Sequence, residues 1–200
     1  SLTVIYFAIN SKPFHSSPNI VEKQALLIPV TTEKGQEWGV NIHKNKKYLA
    51  YTYRPEGQDN WQIKIKNLEL GEEGLLTDNT INSQSPVWSV KDDALFFIKN
   101  TEEACNIWKA KNVWENPSFE QITECGNTVS ISPLSLGHQE EWLYYTHLNK
   151  SDKFISARVN LTTNISEDLT APPSFSFGDY ASFISPNGKH LAFLRAISFS

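Results

Sequence analysis

Short apolar runs return along this chain at a nearly constant interval. Tyr48-Leu49-Ala50-Tyr51, Ala94-Leu95-Phe96-Phe97, Trp142-Leu143-Tyr144-Tyr145 and His190-Leu191-Ala192-Phe193 share one shape, and their leucines stand 46, 48 and 48 residues apart. A second marker, Leu76-Thr77, Ile122-Thr123 and Leu169-Thr170, follows the first three runs at intervals of 46 and 47. Between the two markers lie segments 62–66, 106–110 and 154–159, and just before each leucine run come 38–42, 86–89, 129–132 and 181–185. Apolar residues at alternate positions of such segments mark half-buried strands. Four short strands in a period of about 46 residues make the blade of a propeller. An ordinary sandwich would share the strand lengths but not the recurring side chains. The chain therefore reads as all-β, a β-propeller of four-stranded blades with about three and a half blades present. The repeats fall at about 30–78, 79–124, 125–171 and 172–200.

The turns between strands fit this reading. Ser185-Pro186-Asn187-Gly188-Lys189 carries Asn-Gly, which suits a two-residue hairpin whose central residues both need φ > 0. The earlier copies, 43–47 and 89–93, lack the glycine, and the third, 132–141, reads as stretched. Leu70-Gly71-Glu72-Glu73 supplies another tight turn, and no stretch carries a helical period.

Residues 2–9 are apolar throughout, too few for the roughly 20 that span a bilayer. They read as an edge strand or N-terminal arm, or as the outer end of a transmembrane helix, and 10–19 as a polar linker. We expect an arm or linker over 1–29. The formal charge of −4 and pI near 5.7 speak against nucleic-acid binding by this segment, which needs a basic face.

Candidate chemistry is sparse. Cys105 and Cys125 are the only cysteines, and no spacing of Cys or His supplies a zinc site. If the hairpin between their strands turns about Glu115, paired positions sum to 230 and Cys105 lies opposite Cys125. A cross-strand disulfide is then expected, the alternative being two separate buried thiols. His43 and His190 fall in turns, where exposed polar residues are expected, and His138 and His147 flank one strand. The acid pairs Asp92-Asp93, Glu102-Glu103 and Glu140-Glu141 point to opposite faces of the chain and read as solvated turn charges. Asn160-Leu161-Thr162 and Asn164-Ile165-Ser166 match the glycosylation sequon. No nucleophile elbow occurs. We expect no catalytic residue, no metal and no cofactor. Propellers bind on the disc faces and in the channel, which puts candidate contacts near Glu37-Trp38, Gln84-Ser85, Asn127-Thr128 and Gly178-Asp179.

The motif Ser185-Pro186-Asn187-Gly188-Lys189-His190-Leu191-Ala192-Phe193 resembles the recurring unit of TolB-like propellers. So do 61–68, 75–78 and 85–89, and the resemblance spans about 30–200. A narrower likeness rests on Cys105 with Cys125, Leu169-Thr170-Ala171-Pro172-Pro173 and Gly178-Asp179. These resemble membrane-anchored winged-helix regulators of the ToxR/CadC type, which carry a propeller outside the membrane. The resemblance implies a periplasmic sensing or protein-interaction domain of an inner-membrane transcriptional regulator. Its partner would be a protein or small-molecule signal, its membrane contact a flanking helix, and its DNA contact a separate domain. The alternatives are a TolB-like envelope scaffold, or the gating propeller of a serine peptidase whose catalytic domain lies outside these residues. The repeat further implies more blades beyond the fourth.

Overall fold

The computed structural model describes residues 29–126 and 132–197. The arm expected over 1–29 lies, but for its last residue, outside the described residues, as does most of segment 129–132. The chain divides into two units between Glu33 and Lys34, and the second holds every strand described. Strands β1 (Gly35–Ile42), β2 (Tyr48–Pro55), β3 (Gln62–Asn67) and β4 (Glu73–Leu75) form one antiparallel sheet in chain order. β5 (Asn82–Trp88), β6 (Leu95–Asn100), β7 (Cys105–Lys111) and β8 (Ser118–Glu124) form the second. β9 (Ser135–Leu136), β10 (Trp142–Leu148), β11 (Phe154–Asn160) and β12 (Ser166–Asp168) form the third. β13 (Ser176–Ile184) and β14 (Leu191–Ile197) are the antiparallel inner pair of a fourth. Three four-stranded blades and two strands of another make a partial β-propeller.

The fourth blade touches the third sheet through one parallel pairing, Gly178 with Phe154. A Cβ on Gly178 would stand 2.3 Å from the Phe154 backbone N and O, and its φ is +126°. Only glycine admits that approach.

Alternation along each strand sorts its side chains between two neighbouring blades. Ala50, Ile63, Ile65 and Leu76 of the first blade pack against Trp88, Leu95, Phe97 and Ala110 of the second. The opposite face of the second blade, with Val87, Phe96, Ile98 and Ile107, packs against Leu134, Leu143, Tyr145 and Val159 of the third. The core thus lies in the seams between blades. The Leu-Thr markers have a role there beyond propensity. The Thr77 and Thr170 hydroxyls accept the backbone N–H groups of Ile63 and Ser156, at 2.9 and 3.1 Å, where the short outer strand stops.

Three inner strands, β1, β5 and β13, carry a β-bulge at one repeat position, with Gly39, Ser85 and Ala181 at φ of 62°, 58° and 52°. The bulge takes a backbone N–H out of its own ladder. Ser85 donates its N–H to the Thr52 hydroxyl of the preceding blade at 3.1 Å, and Ala181 donates to the Ser132 hydroxyl at 2.7 Å. Thr52 is wholly buried, so Thr52→Val keeps the shape and leaves the Ser85 N–H without its acceptor. A loss of about 1–2 kcal/mol in urea-induced unfolding is expected.

The inner hairpins correct two expectations. All four close with the same span: His43 bonds to Tyr48, Ser89 to Ala94, Gly137 to Trp142 and Ser185 to His190. The third turn is therefore not stretched. Nor is Asn187-Gly188 a two-residue turn with both residues at positive φ. Gly188 alone is, at 70°, with its N–H on the Ser185 carbonyl. That is a type I turn closed by one left-handed residue, which also matches strand twist. Lys46 (62°) and Glu140 (50°) hold the left-handed place in their turns, so glycine is dispensable there. On the outer hairpins, Asn67 and Asn160 each accept two turn N–H groups on Oδ1, which explains an asparagine at both places and commits Asn160 of the first sequon to the fold.

Candidate functional site

Residues from all four inner strands line one cavity of about 330 Å³. Asn41, Val87, Ser135 and Phe183 occupy the same repeat position in it, followed by Ile42, Trp88 and Leu136. The position is fixed by two more cross-blade bonds: Trp88 N–H donates to Asn41 Oδ1 at 3.0 Å and Ile184 N–H to Ser135 Oγ at 3.3 Å. The wall is mixed, with the Asn41 and Ser135 side chains set among apolar groups, and no acid lines it. Convergent apolar surface with few polar groups is the ordinary make-up of a binding site.

This cavity lies toward the turns that end the inner strands, whereas sequence placed the contacts at their beginnings. There the residues are committed to structure. Gln84 and Ser85 are buried, and the Ser85 hydroxyl donates to the Ser132 carbonyl. Trp38 packs edge-on against Trp61, with Glu37 exposed beside it. Asn127 and Thr128 lie outside the described residues. Asp179 is fully buried and bidentate with Arg195, at 2.6 and 2.9 Å. Counting back a fixed number of residues from each repeat leucine would have found the cavity wall.

The Arg195 hydrogen bonds hold the Asp179 carboxyl below its ordinary range, against the opposing effect of burial, with further help from Thr170. A carboxylate with a depressed folded pKa contributes stability above its unfolded pKa and loses it as pH falls through the folded value. Asp179→Asn should therefore destabilise on the order of 1 kcal/mol at neutral pH, Arg195 being partly screened by solvent. The gap to wild type should narrow as pH falls below about 4, which thermal melts across pH will read.

Two seams carry a polar latch at the turn face. His43 is 2 % exposed rather than solvated, because its ring fills the space between Tyr48 and Trp88. Its Nδ1 accepts the Asn45 N–H, and its Nε2 faces Asp93 Oδ1 of the next blade at 3.3 Å. One repeat on, Glu140 is 6 % exposed, again not a solvated turn charge. It reaches back into the preceding blade's turn, where Oε2 accepts from the Ser89 hydroxyl (2.6 Å) and the N–H groups of Val90 (2.7 Å) and Lys91 (3.2 Å). Lys109 stands 3.9 Å from Oε1 and 3.2 Å from Asp92. Glu102 and Glu103 are exposed as expected, and His190 also. His147 pairs with Asp168 at 2.7 Å, and His138 sits in the turn beyond the other end of β10. A strand of seven residues, roughly 20 Å, separates the two histidines. Among the described residues no group of three or more His, Cys, Asp or Glu could hold a metal.

Cys105 and Cys125 are disulfide-bonded, with Cα atoms 4.9 Å apart, both fully buried in the second seam. Their alignment depends on a bulge. Near the hairpin tip Lys111 pairs with Ser118 and Trp108 with Gln121, but beyond the bulge Ile107 pairs with Thr123. The extra residue, Ile122, moves Cys125 opposite Cys105. Protein disulfides belong to oxidising compartments, which suits an extracytoplasmic domain. Among the described residues no helix is long and apolar enough to cross a membrane.

No family model and no curated protein matches the chain. Solved structures do. TolB from Acinetobacter baumannii superposes on 81 % of the chain and 38 % of its own length, with TM-score 0.65 and 18 % identity. A puromycin-hydrolyzing peptidase from Mycobacterium tuberculosis covers 83 % of the chain and 30 % of itself, at 0.62 and 11 %. An oligogalacturonate lyase from Vibrio parahaemolyticus covers 86 % and 49 %, at 0.58 and 14 %. The chain thus spans about a third to a half of these proteins. At such identities the likeness is one of fold, a TolB-like β-propeller, shared by enzymes and non-enzymes alike.

Proposed function

We propose that this propeller is the periplasmic sensing or protein-interaction domain of a transcriptional regulator anchored in the inner membrane by a flanking helix. The observation that carries the reading is the buried cystine, which supports an address outside the cytoplasm. The cavity shared by four inner strands offers the signal, a protein segment or small molecule, a place to bind. On this reading the domain catalyses no reaction, holds no cofactor and touches no nucleic acid, DNA being bound by a separate domain of the same protein. The likeness to ToxR/CadC-type regulators supports that arrangement.

The test uses the full-length protein. Alkaline phosphatase fused after Ser200 should be active and β-galactosidase at the same point inactive. Deleting residues 34–197 should leave DNA occupancy intact and remove the transcriptional response to the signal. A cytoplasmic fusion pattern, or a response unchanged by the deletion, overturns the proposal. The solved peptidase with the same fold favours a second reading, a propeller that gates a hydrolase. An α/β-hydrolase segment in the same polypeptide would decide for it.

A further inference from the structure

The polar side chains in the wall of the four-strand cavity are spent on their acceptor side. A backbone N–H can only donate, so the Trp88 N–H, at 3.0 Å, fixes Asn41 with Oδ1 toward it and leaves Nδ2, a donor, as the unspent end of the carboxamide. Ser135 Oγ accepts the Ile184 N–H at 3.3 Å, which leaves its hydroxyl hydrogen to donate. Ser89 has little left to offer, since it donates to Glu140 and accepts from Lys91 and Asp92. Lys44 is the one charged residue in the lining. Its Nζ sets one of three hydrogens on the Val90 carbonyl, at 3.1 Å. The lining side chains thus present donors and positive charge to a ligand, with no carboxylate to oppose them.

The rest of the wall is largely apolar. Asn41 and Lys44 come from the first repeat, whereas Leu134, Leu136 and Phe183 come from the third and fourth. Phe183 is 51 % exposed, an aromatic ring that the folded chain leaves half uncovered. A ligand lying across the cavity therefore meets an ammonium and a carboxamide N–H at one side and apolar surface at the other. Hydrogen bonds from a cation to a carboxylate are stronger than those to a neutral oxygen. The volume of about 330 Å³ is near the lower limit for small-molecule pockets, roughly 300–1,000 Å³, which suits a short acid better than a folded partner.

We propose that this cavity binds a small organic monocarboxylate, its head toward Lys44 and Asn41 and its apolar body on Leu134, Leu136 and Phe183. The inference rests on the reading of the cavity as the place where the signal binds, and it narrows that signal to one chemical class. Hexanoate and 3-phenylpropionate are the probes. Each is compared with its own amide, the neutral isostere, and hexylammonium supplies the opposite charge.

Titration calorimetry on the full-length protein should show saturable binding of at least one acid, with its amide weaker by about tenfold or more and no binding of the ammonium. Asn41→Asp keeps an acceptor for the Trp88 N–H but replaces the unspent donor with a negative charge, so it should abolish acid binding. Lys44→Gln, at an exposed position, should weaken the acid by about tenfold and bring acid and amide close together. Phe183→Ala should weaken acid and amide alike, and added salt should weaken the acid alone. Melting curves show that each variant is folded before its binding is read. Failure of both acids to bind, equal affinity for acid and amide, or acid binding undiminished in both Asn41→Asp and Lys44→Gln would each overturn the proposal. If the acids fail while the fusion and deletion results hold, this ligand class is wrong and the regulator reading stands. If an acid binds as described but the transcriptional response survives deletion of residues 34–197, the site stands and the regulator reading falls.

Discussion

Glu140→Ala is expected to cost about 3–5 kcal/mol, the range for removing one partner of a buried charge pair. The carboxylate satisfies three donors at once, and its loss leaves the Ser89 hydroxyl and the Val90 and Lys91 N–H groups facing an empty volume beside Lys109. For a domain of this size the melting point should fall by roughly 10 °C. Two controls separate causes. Glu140→Gly removes the carboxylate but favours the left-handed backbone, φ 50°, so it should recover part of the loss through strain alone. Ser89→Ala in a double-mutant cycle with Glu140→Ala should show coupling of at least about 1 kcal/mol, as expected for residues in one network. A Glu140→Ala protein that melts with wild type would mean that the third blade is held by apolar contacts alone.

Loss of the cystine should have the next largest effect. Closing about 20 residues constrains the unfolded chain by roughly 3 kcal/mol. The bond also lies in the seam cluster, packed with Val87, Phe96 and Ile98 against Leu143 and Tyr145. Denaturation with and without reductant should show a drop near that size. Changing both cysteines to alanine should cost somewhat more, since it also removes buried sulfur from the cluster. Unfolding curves that coincide in the two redox states would show that the hairpin gains nothing from the link.

Sequence periodicity made the architecture legible because each blade meets only its neighbours, so the same strand positions must be apolar in every copy. The four-stranded blades and the Leu-Thr markers followed from that period, and the cysteine pairing from centring its hairpin on Glu115. Three features did not. His43 and Glu140 sit in turns and carry polar side chains, which composition assigns to solvent. Only the next blade's turn, brought alongside by the fold, removes them from it. The bulge at Ile122 is likewise invisible in the residue pattern, and the cysteines paired as expected because the assumed centre of the hairpin absorbed the extra residue. The cavity shared by the four inner strands lies half a strand away from the candidate contacts. The polar residues that begin the inner strands looked available, yet Gln84, Ser85 and Asp179 are consumed by contacts within and between blades.

The three seams are built of different materials. Aromatic and aliphatic groups fill the first, and the largest apolar cluster, with the cystine, fills the second. The third blade turns Tyr144, Thr146, Ser156 and Arg158 toward the fourth. The joint there runs through hydroxyls: Ser156 with Ser182, Ser132 with the Ala181 N–H, Ser135 with the Ile184 N–H. No residue of β13 or β14 belongs to a buried apolar cluster. A joint made of hydrogen bonds has little apolar burial to oppose water, so it opens at a smaller free energy than a packed one. Amide hydrogens of β13 and β14 should accordingly exchange with deuterium well before those of β6 and β10, making the fourth blade the hinged leaf of an otherwise welded stack.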